Sequence, residues 1–389
     1  MKSPPRLLLL IHISLCLQVA AIDIDINANN ATELKPLSAR NMTDWIEYRN
    51  NFTDKIFPNS SYEESRARIF FDNVADIDAH NELYHNGSES YERGINQFTY
   101  MTDEEYAAMF PPMVVPKEFE EMKEDQIWMG EIMTDDFNET TSTNSSMTRH
   151  KRQFKMDAKT AKELEKQAPQ ALKGMALKAP PATLDLRKTG EVGPVRNQQS
   201  CGSCYTYSAM SSVESAYYRV YKKSIDLSEQ QALECWPSTP GRGCQGGFPA
   251  AVMQGIQKSG ITLEKTHPYQ NREGPCRQYP AATKVHQVHK VPPDVNSMKA
   301  ALNNYGPLAI ALDAGPRGVG SYKSGIVYAP ASQPNHAVSI VGYGKEGARE
   351  FWIIRNSWGT TWGEKGYLRM DIKSPVNQMF PYGVTIKKQ

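Results

Sequence analysis

The spacing of apolar residues predicts two helices near the start of the chain. Between residues 42 and 82 the apolar side chains recur at three- and four-residue steps, which is the period of one helix face. In the first stretch we expect Trp45, Ile46 and Phe52 on one face. After a break at PNSS the period continues through Ile69, Phe70, Val74, Ile77 and Asn81. The N-terminal region is therefore predicted to be helical.

Beyond residue 180 the pattern predicts helices first and strands later. Residues 203–220 have the apolar periodicity of a helix, with Ala209, Met210, Val213, Tyr217 and Val220 on its apolar face. Ser228 and Gln231 have the spacing of a capping box, which predicts a second helix ending near Cys235. Four apolar runs separated by glycines predict strands: LAIALDA (308–314), AVSIVGYG (337–344), FWIIRNSW (351–358) and GYLRMDI (366–372). This order indicates a two-lobed α+β protein.

The first 21 residues are predicted to be a signal peptide. Lys2 and Arg6 precede the apolar run 7–17, and Val19 and Ala21 form a small-residue cleavage pattern. A buried N-terminal helix is the alternative. The apolar run is too short to span a bilayer and no later stretch approaches 18 apolar residues, so we expect no membrane span. The prediction is entry to the secretory pathway, with the lysosome or the extracellular space as destination.

Charge and length exclude some classes of function. The chain has 389 residues, which suits two or three units, and its formal net charge is +1. Because the charge is nearly balanced, nothing favours binding to nucleic acid or to an anionic membrane surface.

The segment 111–178 is predicted to be an exposed, glycosylated linker. It is polar through DDFNETTSTNSSMT and contains a Lys/Ala/Glu-rich part with a marginal helix near 157–173. The basic run RHKR ends at Arg152 and is either a solvated cluster or the cleavage site of a proprotein convertase. Glycosylation sequons occur before residue 150, at Asn30, Asn41, Asn51, Asn59, Asn86, Asn138 and Asn144.

The cysteines indicate disulfides and one free thiol. Of six cysteines, Cys16 leaves with the signal peptide, so an odd number enters an oxidising compartment. An unpaired thiol in a secreted protein is a candidate reactive group. Cys201 and Cys204 have C-x-x-C spacing, which suits a redox pair, half of a zinc site, or a nucleophile beside a structural cysteine.

The redox and zinc interpretations have little support in the sequence. The residues before the pair, GPVRNQQS, do not form a clear strand, and there is no second C-x-x-C and no suitable H-x3-5-H pair. His286 and His289 lie in a polar stretch and are expected at the surface. No metal and no cofactor are predicted.

A nucleophilic cysteine fits better. Cys204 is expected at the N-terminal end of a helix, where the helix dipole favours a thiolate. His336 is expected at a strand entrance and Asn356 at a strand exit, followed by Trp358 and Trp362. An Asn side chain can orient an imidazole, and a nearby indole can exclude water from that bond. Taken singly, the histidine would be a core residue and the Asn-Ser pair a turn.

These motifs resemble the papain-type cysteine proteases, and the cathepsin L-like branch fits best. CGSCY fits the family signature C-G-[SA]-C-[WY], in which His and Asn follow the cysteine about 130–150 residues downstream. Here His336 lies 132 residues and Asn356 lies 152 residues after Cys204. The resemblance implies a papain-like two-lobed α+β fold, with a helical left domain and a β-barrel-like right domain, preceded by a helical inhibitory propeptide.

The resemblance also implies roles for individual residues. Cys204 would be the nucleophile, His336 the general acid and base, and Asn356 the residue that orients the imidazole. Gln198, six residues before the nucleophile, would form the oxyanion hole with the backbone N–H of Cys204. The implied disulfides are Cys201–Cys244 and Cys235–Cys276. The implied substrate-binding residues are Gly246, Gly247, Phe248, Pro249, Ala311, Asn335, Ala337 and Trp358.

Domain boundaries follow from the same resemblance. The predicted parts are a signal peptide (1–21), an inhibitory propeptide (22–110), the linker (111–178) and a peptidase domain (179–389). The prohelix pattern is carried by Arg66, Phe70, Asn73, Ile77 and Asn81, and a shorter motif by Gly94, Asn96 and Phe98. The sequence departs from the usual family pattern at Glu63, Leu186, Gln199 and Asn335. It also has Tyr100 where the family has an acidic residue and Tyr205 where the family usually has Trp.

The expected function is that of a cysteine endopeptidase made as a secreted zymogen, which acts through a thioester acyl-enzyme. Phe248, Pro249, Ala311 and Ala337 would make an apolar second subsite that prefers a bulky apolar side chain. No His-bearing occluding loop is recognised between Gly247 and Cys276, so internal cleavage is expected. The expected partners are peptide substrates, the chain's own propeptide and a convertase at Arg152, and the processed form is expected to be a monomer. The alternatives are a catalytically inactive binding protein and a transpeptidase or ligase on the same fold.

Overall fold

The computed structural model describes residues 39–53, 59–124, 180–237, 243–375 and 379–388. They divide into two compact units: one ends at Ala75 and adds Thr99–Met101, and the other contains Asp76–Phe98 and the chain from Thr102 onward. The predicted signal peptide, the RHKR run and the helix near 157–173 lie outside the described residues. Within these ranges, no helix has the length and apolar character needed to cross a bilayer.

The first unit has an aromatic core built on α1 (Ala39–Phe52) and the first half of α2 (Ser60–His85). Its buried side chains are Trp45, Tyr48, Ala67, Phe70 and Tyr100. Ile46 is 44% exposed, so its predicted place on the face of Trp45 is wrong. Consecutive residues lie about 100° apart on a helix, and Tyr48, three residues after Trp45, completes the buried face instead.

The second unit begins with two stretches that we together call the N-terminal segment (residues 76–98 and 102–124). It contains the end of α2 and three short elements: β1 (Tyr91–Arg93), α3 (Asp103–Met109) and α4 (Lys117–Glu120). The remaining helices of this unit are α5 (Cys204–Tyr221), α6 (Glu229–Cys235), α7 (Pro249–Ser259) and α8 (Val295–Tyr305). The predicted helix at 203–220 is confirmed as α5, and its first three turns are buried.

The capping box predicted for α6 is only half present. The Ser228 side chain accepts from the N–H of Gln231, as expected for an N-cap. The side-chain oxygen of Gln231 accepts instead from the N–H of Thr262, at 2.8 Å. The backbone N–H of Ser228 donates to the Thr262 carbonyl at 3.1 Å, so a neighbouring loop satisfies the group that Gln231 was expected to reach.

A nine-stranded sheet forms the other part of this unit. After β1 its strands are β2 (Leu184–Asp185), β3 (Gln287–Lys290), β4 (Leu308–Leu312), β5 (Tyr322–Val327), β6 (His336–Glu346), β7 (Arg349–Arg355), β8 (Tyr367–Asp371) and β9 (Tyr382–Thr385). The order is β1-β5-β8-β7-β6-β4-β9-β3, and β2 pairs with β6. The four predicted strands are confirmed. Among the described residues β1 and β3 do not pair, so the sheet is open, whereas the resemblance implied a barrel-like domain.

The core of this unit lies where α5 packs against α7, β4, β6 and β9. His289 belongs to the buried interior, because it is 1% exposed on β3 and its ring stacks on Tyr305 at 4.2 Å. Its Nε2 lies 3.1 Å from the Thr385 hydroxyl oxygen. The predicted surface position is therefore wrong for His289, since a strand in a polar stretch can still turn alternate residues inward, whereas His286 is exposed.

Candidate active site

Cys204 is the first residue of α5 and carries a free thiol. It is 5% exposed, and the other four cysteines of the described region are bonded as Cys201–Cys244 and Cys235–Cys276, the pairing that the resemblance implied. The sulfur accepts a hydrogen bond from the N–H of Ala337 at 3.4 Å. Because Ala337 directly follows His336 on β6, this contact places the thiol beside the histidine.

His336 and Asn356 are brought together by neighbouring antiparallel strands. His336 opens β6 and Asn356 follows the end of β7. The histidine Nε2 lies 2.8 Å from the Asn356 side-chain oxygen, and the N–H of Ser357 donates to the same oxygen at 2.7 Å. The backbone N–H of Ser357 can only donate, so the Asn356 atom that it contacts must be the side-chain oxygen. That oxygen can only accept, so Nε2 of His336 carries the ring proton. The other nitrogen, Nδ1, is buried and has no hydrogen-bond partner among the described residues.

Gln198 lies in the loop that precedes α5 and is fully buried. Its side-chain oxygen accepts from the Ser357 hydroxyl at 2.7 Å, which fixes the orientation of the amide. Its Nε2 donates to the Cys201 carbonyl at 3.0 Å. An amide nitrogen has two hydrogens, so one donor of Gln198 is left for a further acceptor.

Gly247 and Gly246, both predicted to bind substrate, are glycines for two different structural reasons. A Cβ on Gly247 would lie 2.6 Å from the ring of Tyr205, whose hydroxyl donates to the Gly243 carbonyl at 3.3 Å. Gly246 has φ +106, a backbone conformation that favours glycine. Tyr205, which departs from the family's Trp, thus braces the loop that carries both glycines.

Aromatic residues of the N-terminal segment cover the histidine and its indole neighbour. Trp358 stacks on His336 with ring centroids 4.5 Å apart. Phe110 approaches His336 edge-on at 5.6 Å and Trp358 at 5.3 Å, and Phe98 approaches Trp358 at 4.8 Å. Residues 109–114 share one cavity with Cys204, Gly246, Gly247 and Asn335. The N-terminal segment therefore occupies the space that a ligand of Cys204 would need.

The shorter motif predicted at Gly94, Asn96 and Phe98 anchors this cover. β1 pairs with β5, and the N–H of Gly94 donates to the Ser321 carbonyl at 2.7 Å. The side chain of Asn96 donates to the Gly320 carbonyl at 2.8 Å. Nearby, the Tyr106 hydroxyl donates to the Ala314 carbonyl at 2.6 Å. Three residues of the N-terminal segment are thus hydrogen-bonded to the stretch 314–321.

Burial keeps the thiol and the imidazole neutral in this arrangement. It raises the pKa of the Cys204 thiol to about 11, and the N–H groups of Ala337 and Tyr205 lower that pKa only in part. Burial likewise lowers the pKa of His336 to about 4, although its bond to Asn356 acts in the opposite direction. A thiolate–imidazolium pair needs the reverse order of pKa values, so the covered site is not in its ionised form.

The residues predicted for the second subsite form an apolar region that the N-terminal segment contacts. Phe248, Pro249, Ala311 and Ala337 are all buried. Phe119 on α4 is fully buried, with its ring 5.2 Å from Phe248. The prediction that the linker is exposed is therefore wrong at Phe119, which packs against Phe248 because burial of its apolar ring is favourable.

Sequence reasoning missed two aromatic residues at this subsite. Tyr382 on β9 lies 6.1 Å from the Phe119 ring, and its hydroxyl donates to the Phe119 carbonyl at 3.1 Å. Phe380 packs on Phe248 at 6.4 Å. Both residues belong to the stretch NQMFPYGV, whose aromatic residues were the available signal. Asn335 also has a structural partner, since its side-chain oxygen accepts from the N–H of Ala314 at 2.8 Å.

The glycosylation sites remain predictions. Asn51, Asn59 and Asn86 are exposed, and Asn41 lies on α1. Asn30, Asn138 and Asn144 lie outside the described residues. In the part of the chain that the structure describes, no group of three His, Cys, Asp or Glu side chains could hold a metal ion.

Comparison with known proteins gives two family matches. Residues 180–380 match the papain family cysteine proteases, and residues 45–106 match the cathepsin propeptide inhibitor domain. Digestive cysteine proteinase 1 of Homarus americanus is 30% identical, over 84% of this chain and 88% of that protein. Germination-specific cysteine protease 1 of Arabidopsis thaliana is 31% identical, over 84% of this chain and 76% of that protein.

Solved structures of cysteine protease precursors are similar to this chain over most of its length. Digestive procathepsin L 3 from the larval midgut of Tenebrio molitor superposes with a TM-score of 0.70 at 25% identity, covering 90% of this chain and all of that one. The recombinant stem bromelain precursor gives a TM-score of 0.67 at 26% identity, with the same coverage.

Proposed function

Because this chain belongs to the papain family of cysteine proteases and carries a cathepsin-type inhibitory propeptide domain, we propose that it is the zymogen of an endopeptidase with Cys204 as nucleophile. The observation that carries the proposal is the arrangement around His336. Its Nε2 is held by Asn356, its Nδ1 has no hydrogen-bond partner, and the adjacent N–H of Ala337 holds the free thiol.

Acylation begins with a proton transfer from the Cys204 sulfur to Nδ1 of His336. The thiolate attacks the carbonyl carbon of the substrate, a C–S bond forms, and the carbonyl electron pair moves to the oxygen. The remaining Nε2 hydrogen of Gln198 and the N–H of Cys204 stabilise that oxyanion. When the oxyanion collapses, the C–N bond breaks and His336 gives its proton to the leaving amine.

Deacylation returns the enzyme to its starting state. A water molecule attacks the thioester carbon while Nδ1 of His336 takes one of its protons. The C–S bond then breaks, the carboxylic acid leaves, and the Cys204 thiolate remains beside the protonated imidazole. Asn356 keeps the ring in position through both half-reactions, because the bond from Nε2 persists in either protonation state.

The N-terminal segment explains why the chain is inactive before processing. It fills the cavity at Cys204 and excludes the water that would stabilise an ion pair. Once it leaves, we propose that the pKa of Cys204 falls and that of His336 rises until the pair ionises. The same segment puts Phe119 against Phe248, which supports an apolar second subsite in the processed enzyme.

Substrate hydrolysis tests this proposal. In water enriched in ¹⁸O, the processed enzyme should cut an internal bond and place one heavy oxygen in the new carboxyl group, as mass spectrometry would detect. A peptide with Leu or Phe one residue before the cleaved residue should react at least about tenfold faster than a matched peptide with Asp, because each 1.4 kcal/mol of apolar burial is worth a factor of ten. Joined peptides without the isotope would identify a transpeptidase, and no product would favour a binding protein.

We also propose that a convertase starts activation at Arg152, in the secretory pathway. The support is the basic run RHKR in a polar stretch behind a predicted signal peptide. Arg152→Ala is expected to leave a longer form after secretion, visible by N-terminal sequencing, while Lys155→Ala in the same stretch leaves processing unchanged. Identical processing of both variants would point instead to autocatalytic cleavage nearer Ala179.

A further inference from the structure

We propose that Tyr269 is a positioning residue for the oxyanion hole, which it maintains by joining the main chain at Gln198 to the residue just before Cys204. The proposal rests on the proposed function, because it concerns how the two oxyanion donors are held. The Tyr269 oxygen lies 2.8 Å from the Gln198 carbonyl oxygen and 2.7 Å from the Ser203 hydroxyl oxygen.

The chemistry of these partners fixes the direction of both bonds. A carbonyl can only accept, so the Tyr269 hydroxyl donates to Gln198. The Ser203 hydroxyl must then donate to the Tyr269 oxygen. The Ser203 hydroxyl oxygen also lies 3.4 Å from the Cys201 carbonyl oxygen. A hydroxyl has one proton, and the shorter contact with Tyr269, at 2.7 Å, is the better hydrogen bond for it.

The bridge connects the two ends of the loop that carries both oxyanion donors. The N–H of Gln198 donates to the Ser357 carbonyl at 2.8 Å. With the Tyr269 hydroxyl on its carbonyl, both backbone polar groups of Gln198 are hydrogen-bonded. Ser203 precedes the backbone N–H of Cys204, the second donor. The separation of the Gln198 amide from that N–H is thus set through the Tyr269 hydroxyl.

Tyr269 is itself held firmly. Its N–H donates to the Glu264 side chain at 2.8 Å, and the edge of its ring packs on Tyr207 at 5.4 Å. Burial raises the pKa of Tyr269 to about 12, so the hydroxyl remains a neutral donor throughout the working range of a protease. None of its hydrogen bonds reaches the thiol or the imidazole, which makes it a positioning residue rather than a catalytic one.

The test is Tyr269→Phe, which keeps the ring and removes both bonds of the bridge. In enzyme processed from the full chain we expect kcat to fall about tenfold with KM within about twofold, because displaced oxyanion donors weaken the transition state and not substrate binding. Affinity for a peptide aldehyde, whose adduct forms an oxyanion, should fall by a similar factor. The rate of inactivation by a thiol-directed epoxide should be unchanged, since epoxide opening forms no carbonyl oxyanion.

Tyr343→Phe is the matched control. It also removes a buried tyrosine hydroxyl, one that donates to the Pro181 carbonyl at 2.7 Å, and it should leave kcat and the aldehyde affinity unchanged. Equal effects of the two variants, or an equal loss of epoxide reactivity in Tyr269→Phe, would overturn the proposal. If Tyr269→Phe fails to fold, Ser203→Ala breaks the bridge from its other side and must lower kcat by about threefold. An inactive wild-type enzyme would instead contradict the proposed function itself, and with it this assignment.

Discussion

Cys204→Ala is expected to reduce kcat/KM by about 10⁵-fold or more, because the variant has no atom that can form the acyl-enzyme. The measurement is peptide hydrolysis by processed enzyme, with the melting temperature recorded to show that the fold survives. The matched control is Ser208→Ala, four residues further along α5, whose hydroxyl donates only to the Val338 carbonyl. Activity above about 1% in Cys204→Ala would exclude the thiol as the nucleophile.

Gln198→Ala is expected to lower kcat/KM by about 10²- to 10³-fold, since it removes one of two oxyanion donors. The loss should lie in kcat, because the amide meets the substrate oxygen fully only in the tetrahedral state. Epoxide labelling of Cys204 should continue at nearly the normal rate, which separates this defect from a loss of the nucleophile.

Gln199→Ala is the matched control for that variant. Gln199 is the exposed neighbour of Gln198, and its backbone N–H rather than its side chain makes the bond to Asn197. Its replacement should change kcat/KM by less than about twofold, because Ala keeps the backbone and removes only a solvated amide. Equal losses in the two variants would show that the loop, and not the Gln198 amide, is responsible.

The sequence could predict which residues meet at the candidate site because each of them has a local position that sequence patterns can detect. A helix start places Cys204, a strand start places His336, and a strand end places Asn356, and the antiparallel pairing of β6 with β7 then brings the last two together. Strand periodicity and the cysteine signature are local signals, so the sequence alone could predict where these three residues lie in the fold.

Contacts between distant parts of the chain were not predictable in this way. Phe119 and Tyr382 meet across 263 residues, and the Tyr269 bridge to Gln198 spans 71 residues. Nothing in the local sequence distinguishes these aromatic residues from ordinary core or surface residues. Competition between hydrogen-bond partners was not predictable either, because the side-chain oxygen of Gln231 accepts from the N–H of Thr262 and not from that of Ser228.

Two departures from the family pattern gain a physical explanation from packing. Tyr100 replaces an acidic residue, and its ring lies in the aromatic core of the first unit, 6.4 Å from Tyr48. Tyr205 replaces a tryptophan, and its ring packs so closely against Gly247 that a Cβ there would lie 2.6 Å from it. Tyr205 keeps a large buried ring and Tyr100 adds one to the core of the first unit, and neither substitution removes a residue of the predicted catalytic set.

The central claim is that Cys204 is the nucleophile and that the N-terminal segment holds it neutral. Its most direct test is the rate of Cys204 alkylation against pH, before and after removal of that segment, with the adduct mapped by mass spectrometry. With a pKa of about 11 only about 10⁻⁴ of the thiol is ionised at pH 7, so labelling of the zymogen should be slow and rise about tenfold per pH unit. The processed enzyme should label at least about 10²-fold faster at pH 7, with little change across the neutral range where the ion pair exists. Equal rates with a flat pH dependence in both forms, or an adduct on another cysteine, would contradict the account.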